Sequence, residues 1–169
     1  MTTAGNNPTN IDSQTIAILG AGTWGCTIAD LLDRHGHRVR LWDTDPDVVA
    51  NLRETRTPKK LDSLTFSRRV EVFDTVEEAL EPATVFVFVV PSIGMRSATE
   101  AIRDARGDND AWLYVICSKG LERNTDMTMS QVLMDVLGQS VRDRLCVLSG
   151  PSHAEEVSRQ APTTITAAA

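Results

Sequence analysis

At 169 residues the chain has room for one domain with a sizeable core, and 41% hydrophobic with 24% charged residues is ordinary globular composition. Its 17 basic and 23 acidic residues leave a formal net charge of -6, which argues against a nucleic-acid surface, since that needs a basic face. A phosphate-bearing small molecule is still admitted, because a local cluster of N–H groups and one lysine binds phosphate whatever the global sign.

Met1 to Gln14 is polar, rich in Thr and Asn, and lacks the basic-then-apolar layout of a secretory signal. It is expected to be a disordered tail, with residues 15–169 forming a single domain. The apolar run Ile16-Ala17-Ile18-Leu19 then enters Gly20-Ala21-Gly22-Thr23-Trp24-Gly25, a strand ending in a glycine turn that opens a helix. In such a turn Gly20 permits the tight bend, Gly22 lets a pyrophosphate approach the backbone, and Gly25 lets the helix pack closely on the strand. Ile28, Leu31 and Leu32 share one helical face, His35-Gly36-His37 breaks the pattern, and Arg38 to Trp42 reads as a second strand. Asp43 closes that strand about 20 residues after the first glycine, where an acid binds the hydroxyls of an adenosine ribose. This acid would repel a 2′-phosphate, so NAD is favoured and NADP admitted. Arg56, Lys59 and Lys60 form a basic patch that either folds over the adenosine end or is a solvated loop.

Asp45-Pro46-Asp47 starts a helix through Leu52, with Pro46 in its first turn. Val70 to Phe73 is a short strand, and Thr75-Val76-Glu77-Glu78 has capping-box spacing before the next helix. Strands follow at Thr84 to Val90, Trp112 to Ser118 and Leu145 to Ser149. Helices are expected at Met95 to Arg106, Met127 to Leu137 and Ser152 to Arg159, with a last strand at Thr163 to Thr166. The alternation specifies an α/β fold, a doubly wound, mostly parallel sheet of the Rossmann type in one domain. The apolar stretch Val85 to Val90 is too short to span a membrane and reads as a strand buried on both faces. Cys26, Cys117 and Cys146 sit alone on a helix and two strands, with spacing that suits neither a metal site nor a redox pair. No metal is expected, and a reduced, cytoplasmic protein is.

Ligands of such sheets lie at the carboxyl ends of the strands. Lys119 follows one strand there. It is either a surface lysine or the ammonium that polarises a carbonyl beside a nicotinamide. Gly150, Pro151 and Ser152 form a backbone turn able to accept a phosphate or hydroxyl, although Ser152 with Glu155 also has capping-box spacing. His153 reads as structural or exposed sooner than as a general base, and Ser92 as a helix cap before Met95. Trp24 either covers the pyrophosphate or fills space beside it.

G-A-G-T-W-G at Gly20 to Gly25, V-P-S at Val90 to Ser92, S-K-G-L-E at Ser118 to Glu122 and L-S-G-P-S-H-A-E-E-V at Leu148 to Val157 occur here in one order. Together they resemble the N-terminal domain of NAD(P)-dependent glycerol-3-phosphate dehydrogenase, over nearly everything after Gln14. The resemblance implies reduction of dihydroxyacetone phosphate to sn-glycerol 3-phosphate. It implies cofactor contacts at Thr23, Trp24, Thr44, Lys119 and Ala154, and substrate contacts at Lys119, Gly150 and Ser152, with Lys119 the catalytic candidate. Gln160 and the stretch Lys59 to Ser63 depart from the family pattern.

Members of that family run to about twice this length and carry a helical second domain. The expectation is therefore a truncated chain that binds NAD and turns over slowly or not at all. A homodimer is compatible with the resemblance. Two other classes stay open: another dehydrogenase of the superfamily, acting on a hydroxyacyl thioester or a sugar acid, and a non-catalytic NAD-sensing module.

Overall fold

The computed structural model describes residues 12–106 and 111–169. Of the expected tail, residues 1–11 lie outside this range, and Ser13 and Gln14 bond to the Gly36-His37 turn. The elements in chain order are β1 (Thr15–Leu19), α1 (Thr23–Arg34), β2 (Arg38–Trp42), α2 (Pro46–Thr55), β3 (Glu71–Phe73), α3 (Val76–Leu80) and β4 (Val85–Phe88). Then come α4 (Met95–Arg106), β5 (Leu113–Ile116), α5 (Met129–Leu137), β6 (Leu145–Ser149), α6 (Ala154–Ser158) and β7 (Thr166–Ala168).

The strands form one sheet in the order β3-β2-β1-β4-β5-β6-β7. All neighbours are parallel except β6 and β7, which run antiparallel through Val147↔Ala168 to Ser149↔Thr166. The chain crosses from one half of the sheet to the other between β3 and β4, so the carboxyl ends of β1 and β4 flank a crevice.

Alternating side chains of the central strands supply two cores. Ala17, Leu19, Phe86, Phe88, Tyr114 and Ile116 pack on one face with α3, α4 and α5. Ile16, Ile18, Leu41, Val87 and Cys117 pack on the other, with α1, α2 and the segment Leu61 to Val70. A strand buried on both faces reads as a continuous apolar run, and β4 is such a strand.

Local signals fix the starts of two helices. Asp45 accepts from the Asp47 N–H at 2.9 Å with Pro46 in the first turn of α2, and Thr128 and Gln131 close a capping box on α5. Three expectations need correction. Thr75 precedes α3 without its hydroxyl capping it. Ser92 opens a 3-10 turn, Ser92–Gly94, without a side-chain cap. The last strand lies at Thr166–Ala168 instead of Thr163 to Thr166, because pairing with β6, not β-propensity, selects those residues.

The ring of Phe86, fully buried, lies 4.5 Å from Trp112 and 6.0 Å from Tyr114 between ring centres. Phe86→Ala is expected to cost about 3–5 kcal/mol in urea unfolding. A loss under about 1 kcal/mol would show that this face is not a single packed core.

Candidate functional site

The turn between β1 and α1 depends on side chains that are absent. Gly20 has φ +114°, and a Cβ there would sit 3.0 Å from the Val89 carbonyl. A Cβ on Gly25 would overlap the Gly20 carbonyl oxygen, so only glycine lets the first turn of α1 lie on the end of β1. At Gly22 the case is opposite: a Cβ would meet nothing within 4 Å, and the space before the helix is open. Cys26 N–H donates to the Gly22 carbonyl at 2.9 Å, whereas the N–H groups of residues 22–25 find no acceptor among the described residues. Four donors thus stand unpaired at the positive end of a 12-residue helix, beside the open space at Gly22.

Asp43 does something the sequence did not suggest. Its Oδ2 accepts from Ala21 N–H at 2.7 Å and its Oδ1 from Asp45 N–H at 3.0 Å, which ties the glycine turn to the end of β2. Each oxygen keeps further acceptor capacity.

The turn stands between two clefts. One, of about 490 Å³, is lined by Thr23, Trp24, Cys117, Lys119, Gly150, Ser152, His153 and Ala154 among others. The other, of about 170 Å³, is lined by Gly22, Val48, Asn51, Pro58, Lys59 and Lys60 among others. Six of the expected site residues therefore meet in one cleft, while Asp43 and Thr44 line neither, Thr44 standing exposed beyond β2. Lys59 and Lys60 do border the smaller cleft. Arg56 does not belong to that patch: its guanidinium is turned inward onto the Ser67 and Val70 carbonyls, 2.6 Å from each.

Gly150 has a structural reason of its own, since a Cβ there would come within 2.7 Å of the Thr164 carbonyl oxygen. Ser152 is not the helix cap its spacing suggests. His153 takes that position, its carbonyl accepting from Glu156 and Val157, and the Ser152 hydroxyl is left on the cleft wall without a partner among the described residues. The Thr27 hydroxyl donates to the Thr23 carbonyl at 2.8 Å and lies 3.3 Å from the Ala154 carbonyl, where α6 packs on α1 and brings these residues to the glycine turn.

Lys119 follows β5 on a loop held at both ends. Ser118 Oγ donates to the Val90 carbonyl at 2.6 Å. Beyond Gly120, at φ +109°, Leu121 pairs with Thr128. Arg96 of α4 grips Glu122 with two N–H groups at 2.7 and 2.8 Å and reaches Asp135 of α5 at 2.8 Å. These donors and the Thr125 hydroxyl pull the Glu122 carboxyl down to about 2. Nothing in the local pattern foretold this network, whose members lie far apart in sequence. Beneath Lys119, burial pushes the Cys117 thiol up to about 11, although the Trp24 indole and the Lys119 charge act against it, so the thiol is unreactive at neutral pH. Cys26 is buried likewise, and all three cysteines are free. Among the described residues no His, Cys, Asp or Glu cluster is placed to hold a metal ion, and no helix is long and apolar enough to cross a membrane.

A parallel sheet in this order, with open helix N–H groups at its crossover, defines a dinucleotide-binding α/β domain. The particular family follows from the sequence. Residues 15–169 match the family described as NAD-dependent glycerol-3-phosphate dehydrogenase N-terminus, and the chain belongs to it.

The chain is 39% identical over 155 residues to glycerol-3-phosphate dehydrogenase [NAD(P)+] of Lactiplantibacillus plantarum, covering 90% of itself and 46% of that relative. To the enzyme of the same name from Chlorobium limicola it is 40% identical over 153 residues, covering 90% and 45%. The crystal structure of glycerol-3-phosphate dehydrogenase from Coxiella burnetii superposes with a TM-score of 0.82 at 28% identity, over 92% of this chain and 46% of that one. The chain thus spans about half the length of the curated relatives it matches.

Gly25→Ala is expected to destabilise by about 3 kcal/mol because backbone must move, and Gly22→Ala by under about 1 kcal/mol. Equal losses in denaturant titrations would contradict the different roles given to these glycines. Because Glu122 titrates near 2 when folded and near 4.5 when free, its contribution is complete above 4.5 and lost as pH falls towards 2. Acid unfolding followed by circular dichroism should therefore be less steep in Glu122→Gln over that window, and an unchanged profile would refute the pairing.

Proposed function

We propose that this chain is the cofactor-binding half of an NAD(P)-dependent glycerol-3-phosphate dehydrogenase, acting on dihydroxyacetone phosphate and sn-glycerol 3-phosphate. The observation that carries the reading is the set of four unpaired N–H groups at residues 22–25, beside the open space at Gly22 and adjoining the cleft that holds Lys119. An anionic diphosphate fits such donors. Thr23, Trp24 and Ala154 border the nicotinamide side. Lys59 and Lys60 border the other cleft and are the groups offered to the adenosine end.

The bound dihydronicotinamide supplies a hydride. The chain's own part is to position and to neutralise. In this reading the Lys119 ammonium meets both cofactor and substrate oxygen, where negative charge grows during reduction of a ketone. Ser152, whose hydroxyl is uncommitted, and the backbone at Gly150 hold the substrate. Asp43 at the end of β2, with Thr44 beside it, favours NAD over NADP by charge, and the two lysines leave NADP acceptable.

Lys119 and His153 are exposed, so the cleft as it stands does not exclude water, and catalysis by these 169 residues alone is expected to be slow or absent. A cytoplasmic location, supported by three unpaired cysteines, and a homodimer, which light scattering tests, complete the reading.

Fluorescence titration with NADH and NADPH checks the proposal. NADH should bind, more tightly than NADPH, and Gly22→Ala should weaken it about 10-fold or more, equivalent to about 1.4 kcal/mol, with the fold retained. Failure of NADH to bind, or an unaffected Gly22→Ala, would overturn the reading. Brisk NADH oxidation by dihydroxyacetone phosphate would refute the claim that this half is insufficient.

A further inference from the structure

We propose that Arg96 is a positioning residue for Lys119: its two-pronged ion pair with Glu122 holds the loop that presents the Lys119 ammonium to the cleft. This rests on the reading of Lys119 given above and assigns a role to the glutamate of the S-K-G-L-E segment.

The loop is a short span between two anchors. At its start, Ser118 is fixed to β4 and the residues after it, its N–H donating to the Phe88 carbonyl at 3.1 Å and its hydroxyl to the Val90 carbonyl at 2.6 Å. At its end, Glu122 N–H donates to the Met127 carbonyl at 2.8 Å, Asp126 N–H to the Glu122 carbonyl at 3.1 Å, and the Thr125 hydroxyl to Glu122 Oε2 at 2.6 Å. These bonds knit residues 122–127 into a turn, and the Leu121–Thr128 bridge joins the turn to the start of α5, but none of them reaches α4.

Burial does little for the span that carries Lys119. Lys119 and Gly120 are exposed and Leu121 stands 53% exposed, so apolar contact holds little of residues 119–121, although Met127 at the far side of the turn packs against the core. What ties the turn across to α4 is Arg96, with Nε and Nη2 on the two oxygens of Glu122 and Nη1 on Asp135. The guanidinium thus locks the loop to α4 and α5 together. The Glu122 side chain is only 13% exposed, and a two-pronged guanidinium–carboxylate pair fixes direction as well as distance, which a lysine at 96 would not.

Gly120 makes the span sensitive to this lock. At φ +109° it is the bend of the loop, passing over Ser92 with 3.6 Å between a built Cβ and the serine side chain. With the guanidinium tie to α4 lost, a glycine is the residue least able to hold the bend by itself. Lys119, next to it, would then sample several directions, and binding through it would carry the entropy of restricting them.

The test is a double-mutant cycle in the 169-residue chain, read by NADH titration and by amide hydrogen exchange at residues 119–121. Lys119→Met is expected to weaken NADH about 10-fold and Arg96→Gln about 5-fold, with faster exchange in the loop. In the double variant the Arg96→Gln loss should vanish, leaving affinity within about 2-fold of Lys119→Met alone. A full additional loss in the double variant, or unchanged exchange at residues 119–121 in Arg96→Gln, would overturn the proposal. If Lys119→Met leaves NADH affinity intact, the reading of the cleft fails instead, and the exchange data still decide whether Arg96 holds the loop. Glu122→Gln, which breaks the same pair from the other side, must reproduce the effect and serves if Arg96→Gln does not fold.

Discussion

The first turn of α1 can rest on the end of β1 only because residue 25 has no side chain to collide with the Gly20 carbonyl. That one close approach sets the height at which the helix begins, and with it the direction of the N–H groups at residues 22–25. Everything placed around the turn is referred to this point. Asp43 braces it from β2, Val89 closes against Gly20 from the end of β4, and Thr27 carries α6 to it from the far side. The glycines at 22 and 25 resemble each other in sequence and do opposite things, one leaving room for a ligand and the other for the protein itself.

The remainder of the sheet serves to bring distant loops to the same edge. Parallel strands deliver their carboxyl ends to one side, so residues 90, 119 and 150 become neighbours of residue 23 without any sequence proximity. The two buried faces hold that alignment, and β4, apolar on both, is its axis. Towards β6 the cover thins: Leu145 to Leu148 are half-buried and β7 is exposed throughout. Lys119 therefore stands where the sheet gives way to loops, and charge pairs join packing and backbone bonds in keeping the geometry there.

Much of this was legible in the sequence, for physical reasons. The glycine turn and the alternation of strand and helix are local signals, and chirality and connection rules convert them into a strand order. The placing of Thr23, Trp24, Lys119, Gly150, Ser152 and Ala154 in one cleft follows from that order once each is known to lie after a strand. What stayed hidden was set by tertiary contact. Arg96 meets Glu122 and Asp135 across 26 and 39 residues, and no window of sequence contains them. Gly150 reads as a bare turn, yet the Thr164 carbonyl beside it is what excludes a side chain. The spacing of Ser152 and Glu155 is that of a cap, but the cap falls one residue later, on His153, and the hydroxyl is left free. Arg56 reads as a surface charge, whereas its left-handed backbone at the end of α2 turns the guanidinium onto two carbonyls.

The central claim is that bare backbone donors at the start of α1 receive a diphosphate. Backbone amide chemical shifts, followed by NMR as NADH is added, test it most directly. The account predicts that the amides of Gly22, Thr23, Trp24 and Gly25 move first and furthest, as hydrogen bonds to anionic oxygens form. Saturable binding that leaves those four signals in place, with the changes gathered elsewhere on the sheet, would contradict it.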